Sequence, residues 1–268
     1  TVGRSNFLGD YLAMLLVLTL AVLGAARSRP ERWALGALGA LYFAMLVLTA
    51  ARAAWIGAAL GIATIVLIRG WHAGTHHRWS TATLCRQAAA VALALGCGAA
   101  ALAAGLVSPA ATSVMRRLAT LAPWHPASAG TRITTWAWSL KLIGDRPLLG
   151  HGADVAGLAF PSLWSGVRID RAHDWILDLA LQFGLVGLVS YAVLVWLAVR
   201  DVPRTLRHAG ERDAAVLSGA LGALAAFWGA TLLSFGVVTT WLVHWALLGM
   251  LAAAGGTVGR VAPRAAWV

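Results

Sequence analysis

Residues 8–26 read LGDYLAMLLVLTLAVLGAA, an apolar run of the length that a helix needs to cross a bilayer. The hydrocarbon core of a membrane takes about 20 mostly apolar residues in a helix. Six further runs of this kind follow along the chain: 33–50, 53–70, 84–107, 178–200, 213–233 and 237–254. They are rich in Ala and Leu and lack polar–apolar alternation, which argues against strands. The sequence therefore predicts an all-α polytopic membrane protein, with about seven transmembrane helices in a single transmembrane domain over 1–268.

The composition supports this class of protein. Of the 268 residues, 60% are hydrophobic and only 12% are charged, whereas soluble domains carry about 25% charged residues. The formal net charge is +11, and Lys141 is the only lysine. A basic chain can bind nucleic acid, but in so apolar a chain the arginines favour orientation in a membrane and binding of an anionic lipid or phosphate. We therefore expect membrane lipids, and no nucleic acid, among the partners.

The arginines lie mainly in alternate loops between the predicted spans. If seven spans alternate, the arginine-bearing loops 27–32, 71–83 and 201–212 share one side with the C-terminal tail. The positive-inside rule assigns that side to the cytoplasm. The long loop 108–177 then lies outside, which in a bacterium is the periplasm. The N-terminus also starts outside, and with an odd number of spans we expect the chain to be the C-terminal part of a longer protein.

The loop 108–177 contains a predicted amphipathic helix at 131–143, TRITTWAWSLKLI. Apolar side chains recur at helical spacing on one face: Ile133, Trp136, Ala137, Leu140 and Ile143. The opposite face is polar: Arg132, Thr135 and Ser139. Such a helix can lie on the outer membrane–water interface with its tryptophans at headgroup depth. The sequence Gly144-Asp145-Arg146-Pro147 should end it.

Three residues on the outer side are candidates for an active site. Arg52 lies in the tight turn between spans two and three, Arg132 begins the amphipathic helix, and His173 precedes span five. Arginine binds phosphate through a planar set of donors and keeps its charge. Histidine can take a proton near neutral pH. A site of this kind at the lipid interface suits a lipid-linked diphosphate.

Each candidate also has a simpler interpretation. Arg52 can be a snorkelling anchor at the end of a span. Arg132 can decorate the polar face of its helix, and His173 can form a local hydrogen bond. Asp174 and Asp178 stand near the start of a helix, where capping is the leading explanation because the helix dipole stabilises acids there.

Three segments resemble the bacterial O-antigen ligase and polymerase family of membrane glycosyltransferases. The segment LTAARAAWIGAALG (48–61) resembles the family's Ser-Arg-Gly-x-Trp segment, although Ala51 and Ala53 replace Ser and Gly. The segment GTRITTWAWSLKLIGDRPLLGHG (130–152) resembles an Arg, a Trp and then Asp-x-Pro-x-x-Gly-x-Gly. The segment HDWILDLALQFGLVGL (173–188) resembles His-Asn/Asp-x-x-Leu followed by Gly-x-x-Gly. All three occur in the family's order and on one side of the membrane.

The resemblance implies an enzyme of the inner membrane with its active site facing the periplasm. Such enzymes take a glycan from undecaprenyl diphosphate and transfer it to an acceptor sugar hydroxyl, without a metal or other cofactor. In an O-antigen ligase the acceptor is a lipid A–core lipopolysaccharide. The resemblance implies that Arg52, Arg132 and His173 are catalytic and that Arg171 assists the first two in binding the diphosphate. Direct displacement would invert the anomeric centre.

Other functions remain open at this stage. An O-antigen polymerase or a protein O-oligosaccharyltransferase would use the same residues with another acceptor. A transporter or a lipid-binding membrane protein belongs to a different class. A transporter should place polar groups near the midplane, often on broken helices, whereas these candidates lie at one face.

Overall fold

The computed structural model describes residues 5–75, 126–154 and 171–258, and these ranges contain helices and no strands. The helices in chain order are α1 (Ser5–Leu23), α2 (Arg29–Leu48), α3 (Arg52–Thr75), α4 (Pro126–Asp145), α5 (Trp175–Val199), α6 (Val202–His208), α7 (Glu211–Thr231) and α8 (Val238–Val258). The all-α prediction is confirmed.

Within the described ranges, six helical segments are long and apolar enough to cross a membrane. They are α1, α2, α3, α7, α8 and the single stretch that α5 and α6 form together. These match six of the seven predicted spans. The predicted span 84–107 lies outside the described residues, as do 108–125 and 155–170 of the predicted outer loop.

Helix α7 forms the centre of the bundle and packs against α1 and α3. Small residues let the backbones of α3 and α7 touch. A Cβ atom added at Gly57 would lie 2.3 Å from the Ala226 carbonyl oxygen, and one at Gly61 would lie 2.6 Å from that of Gly222. Gly57-x-x-x-Gly61 is thus the contact face of α3, as such motifs are in other membrane helix pairs.

The two ends of the bundle differ in their charges. At one end, a guanidinium nitrogen of Arg69 lies 4.0 Å from a carboxylate oxygen of Glu211. A guanidinium nitrogen of Arg212 lies 3.3 Å from a carboxylate oxygen of Glu31. We call this the arginine-rich end. The opposite end, called here the site end, carries the start of α1, the α2–α3 turn and the α7–α8 turn. There Gly9 packs on Ala51, and the rings of Phe7 and Phe235 lie 5.1 Å apart.

Helix α5 is sharply broken at Gly184. This glycine has φ 62° and ψ −159°, and the ring centroids of Trp175 and Tyr191 lie 5.2 Å apart. Sixteen residues of continuous helix would separate them by about 24 Å, so the two halves of α5 fold back on each other. The predicted span 178–200 is therefore helical but is not one straight helix.

The segment 147–152 replaces backbone hydrogen bonds that the break removes. The amides of His151 and Gly152 donate to the carbonyls of Leu181 and Gln182, at 2.8 and 2.9 Å. The amides of Leu185 and Val186 donate to the carbonyls of Pro147 and Leu148, at 2.8 and 3.1 Å. We call this pairing of 147–152 with 181–186 the clasp. It satisfies polar backbone that lipid cannot satisfy, and it fixes the start of α5 at the site end.

Candidate active site

The α2–α3 turn presents Arg52 as the first residue of α3. Ala50 takes a left-handed conformation with φ 51°, and the Thr49 hydroxyl donates to the Leu46 carbonyl at 2.6 Å. The Trp55 indole nitrogen donates to the same carbonyl at 3.1 Å. Trp55 thereby holds α3 against the last turn of α2, and the exposed Arg52 projects from a fixed turn.

Arg132 on α4 lies close to Arg52. Burial, and then the positive charge of Arg52, lower the pKa of the half-buried Arg132 from its usual value. Two guanidinium groups that repel each other in a partly desolvated place favour an anion between them. The structure thus brings together two of the residues that the sequence singled out.

Helix α4 is tied to the segment that carries His173. Trp136, one turn after Arg132, donates from its indole nitrogen to the Ala172 carbonyl at 3.1 Å. Ala172 is fully buried and stands between Arg171 and His173. Residues four apart in a helix share a face, so Arg132 lies on the side of α4 that meets this segment.

The ring of Phe235 contacts both Arg171 and His173. The His173 ring centroid lies 5.2 Å from that of Phe235, and the Arg171 guanidinium carbon lies 6.0 Å from the Phe235 centroid. Arg171 also forms an ion pair with Asp154 at 2.5 Å. Phe235 of the α7–α8 turn therefore supports His173, which the sequence selected. The same ring contacts Arg171.

Asp174 and Asp178 have local structural contacts. Asp174 is the N-cap of α5 and accepts from the amides of Ile176 and Leu177 at 2.9 and 3.1 Å. Burial raises the pKa of the Asp174 carboxyl, while these two donors oppose the shift. Asp178 accepts from the Ala172 amide at 2.7 Å. Capping is confirmed for Asp174, while Asp178 fixes the backbone beside His173.

The faces of α4 are oriented by its packing against α5. Ile133 and Leu140 are each 61% exposed, so this apolar face can contact lipid. Ile143, predicted on that face, instead packs with Leu181 of α5. The polar face points into the protein, where Ser139 is fully buried. Its hydroxyl donates to the Thr135 carbonyl at 2.8 Å, so it can pack there without another partner.

Sequence reasoning missed Phe235 and Asp154. A single phenylalanine in a short apolar turn has no charge or spacing that marks it as part of a site. Asp154 follows the glycine-rich motif but carries no pattern that predicts its contact with Arg171. Both become visible only when separate segments of the chain are brought together.

The arrangement combines fixed positive charge with a group that can accept a proton. Arg52 and Arg132 can hold a phosphate-like anion, and His173 can act as a general base toward a hydroxyl. Among the described residues, no group of three or more His, Cys, Asp or Glu side chains is placed to hold a metal ion.

Comparison with models of known protein families gives a match. A family model described as O-antigen ligase matches residues 37–192, which is more than half of the chain. The match includes the α2–α3 turn, α4, the clasp and His173. No curated protein and no solved structure matches the chain significantly.

Proposed function

This chain belongs to the O-antigen ligase family, and we propose that it transfers a glycan from undecaprenyl diphosphate to a lipid A–core acceptor. The reaction takes place at the periplasmic face of the bacterial inner membrane. The observation that carries this proposal is the proximity of Arg52 and Arg132, with α4 tied to the His173 segment. It joins an anion-binding pair to a proton acceptor at one end of a membrane bundle.

The diphosphate of the donor binds to Arg52 and Arg132, with Arg171 nearby. As the bond between the anomeric carbon and the phosphate oxygen breaks, negative charge grows on the departing diphosphate. Charges already in position to meet that developing charge lower the barrier, because they need no reorganisation during the reaction. Neutralisation of the anion also relieves the repulsion between the two guanidinium groups.

His173 takes the proton of the acceptor hydroxyl. The acceptor oxygen forms a bond to the anomeric carbon, the bond to the diphosphate breaks, and undecaprenyl diphosphate leaves with the electron pair. Attack from the side opposite the leaving group inverts the anomeric centre. General-base catalysis of this kind contributes roughly 10²–10⁴-fold to a rate.

The charge difference between the ends of the bundle supports the orientation. The arginines of the loops around α6 and at the end of α3 lie at the arginine-rich end, which the positive-inside rule assigns to the cytoplasm. The site end then faces the periplasm, where the polyprenyl chain of the donor can remain in the outer leaflet while its diphosphate reaches Arg52.

A transporter is the candidate from another class, and the break in α5 is the feature that favours it. Broken helices in transporters expose backbone groups to the substrate. Here the clasp occupies the carbonyls of Leu181 and Gln182 and the amides of Leu185 and Val186. The backbone groups at the break are therefore already paired within the protein and are not left for a substrate. This favours the glycosyltransferase over the transporter.

Glycan transfer by the full-length protein in liposomes tests the proposal. The donor is an undecaprenyl diphosphate glycan, and the acceptor is lipid A–core or, in a second arm, another O-antigen repeat unit. We expect transfer to lipid A–core, with kcat lower by about 10²-fold or more in His173→Ala. A comparable loss of kcat/KM is expected in Arg132→Ala.

A matched variant separates these effects from general damage. His208→Ala removes an exposed histidine of α6 whose ring bonds the Arg204 carbonyl of its own helix, and it should transfer at the parental rate. Transfer only to the repeat unit would identify a polymerase. Parental activity in folded His173→Ala would contradict the proposed role of that residue.

A further inference from the structure

Asp10 is a buried acid in α1, about five residues and 8 Å along the helix from its first residue at the site end. Its side chain is 1% exposed. Neither carboxylate oxygen has a donor within hydrogen-bond distance and angle among the described residues, and the Ser234 side chain is a polar neighbour of this carboxyl group. An acid in this setting within a membrane helix is costly to keep, and such residues usually serve function.

The surroundings of Asp10 are the walls of the active site. Gly9 packs on Ala51 and Thr49 of the turn that presents Arg52. Phe7, one helical turn before Asp10 on the same face, packs on Phe235. Phe235 in turn contacts His173 at 5.2 Å. Asp10 therefore lies behind the α7–α8 turn that supports the proposed general base.

We propose that Asp10 is an acceptor-binding residue whose carboxyl group accepts a hydrogen bond from a hydroxyl of the acceptor sugar. This inference rests on the proposed function. A carboxyl group suits a neutral sugar, which offers donors, and is unsuitable for a diphosphate, which offers only acceptors and negative charge. Arg52 and Arg132 thus define the donor side of His173, and Asp10 with Phe235 defines the acceptor side.

The α7–α8 turn, which packs over Asp10, moves to admit the sugar. The Ser234 amide reaches the Thr231 carbonyl only at 3.4 Å, so the turn is weakly held at this point. The acceptor packs its ring on Phe235 and displaces the Ser234 side chain. Its hydroxyl then supplies the donor that the carboxyl group lacks within the described part of the chain.

Kinetics of Asp10→Leu with each substrate varied in turn test the proposal. The acceptor KM should rise about tenfold or more, because a hydrogen bond to an acidic group is lost. The donor KM should stay within about twofold of the parental value. The variant should unfold at the same or a higher temperature, because a buried acid without a donor is removed. A merely structural acid would give the opposite shift in unfolding temperature.

Thr19→Val is the matched control on the same helix. Thr19 is 7% exposed, and its hydroxyl bonds the Leu15 carbonyl of its own helix at 2.7 Å, so its loss should leave both KM values unchanged. Asp10→Asn, which keeps the size and one acceptor oxygen, should raise the acceptor KM by a smaller factor.

Three results would overturn the inference. The first is an unchanged acceptor KM in folded Asp10→Leu. The second is failure of both Asp10 variants to fold. The third is a parent protein that transfers no glycan, which would overturn the proposed function as well, whereas the first two leave that function standing.

Discussion

His173 has an unfavourable backbone conformation. Its φ is 58°, in the left-handed region that non-glycine residues seldom occupy. The contacts on both sides enforce it: Asp178 binds the amide of Ala172, and Asp174 caps the helix that follows. Strain of this kind is retained at functional sites when the surroundings overdetermine it.

The cap beside His173 gives a prediction for Asp174. Asp174→Ala should lower the free energy of unfolding by about 1 kcal/mol, because two α5 amides lose their acceptor. Asp174→Asn should cost little, because asparagine caps equally well. Thermal unfolding of both variants beside the parent measures the difference, and equal stability of the Ala and Asn variants would contradict the capping role.

The same carboxyl group predicts a pH dependence. Burial raises the pKa of the Asp174 carboxyl in the folded protein, so ionisation is less favourable there than in the unfolded chain. The parent should therefore gain stability relative to Asp174→Asn as the pH falls through the raised pKa. If the parent instead lost stability relative to Asp174→Asn as the pH falls, burial would be contradicted as the cause of the raised pKa.

For the individual residues of the site, the sequence identified the charged candidates but not their conformations. Arg52, Arg132 and His173 are recognisable because arginine can bind phosphate and histidine can take a proton near neutral pH. The left-handed backbone at His173 and the support from Phe235 arise from contacts between distant segments. No local pattern encodes them.

The decisive element is the clasp, because it turns one apolar run into two folded-back halves. Gly150 and Gly184 have φ values of 67° and 62°. A Cβ atom at Gly184 would lie 2.4 Å from the Leu148 carbonyl. Both positions therefore require glycine for their conformation and for the close approach of two backbones.

Gly184→Ala should destabilise the protein and reduce glycan transfer. The φ of 62° with ψ of −159° at Gly184 lies in a region that is essentially restricted to glycine and costs another residue on the order of 1–3 kcal/mol, and the clash with Leu148 adds to this. The expected results are a lower unfolding temperature and a lower transfer rate at temperatures where the protein stays folded.

Gly249→Ala in α8 is the control, because a Cβ atom there meets nothing within 4 Å. It should be neutral or slightly stabilising. A Gly184→Ala variant that matches the Gly249→Ala variant in both stability and transfer would contradict the role of the clasp.

The sequence predicted the elements better than their connections. Length and apolarity located six helices that the structure contains, because lipid imposes a minimum span. The break in α5 could not be predicted, since its hydrogen bonds come from residues 30 to 38 positions earlier. The glycines of both segments were noticed as a family resemblance, and only the structure shows that they meet.

At the scale of the whole molecule, the charge distribution separates the two ends of the bundle. The alternation of arginine-bearing loops predicted that loops 27–32 and 201–212 share a side, and contacts of Arg69 with Glu211 and of Arg212 with Glu31 place both at the arginine-rich end. Arg52 and Arg132 lie near each other at the site end. We propose a division of roles, in which Arg52 and Arg132 bind the donor and His173 acts on the acceptor.

Equilibrium binding of undecaprenyl diphosphate by the full-length protein tests this division most directly. We predict that the double variant Arg52→Ala/Arg132→Ala binds about 100-fold more weakly than the parent, from the loss of two charge-assisted contacts. Arg204→Ala/Arg207→Ala, which removes the same charge from the other end, should bind like the parent, as should His173→Ala. Parental affinity in the Arg52→Ala/Arg132→Ala protein would contradict the account.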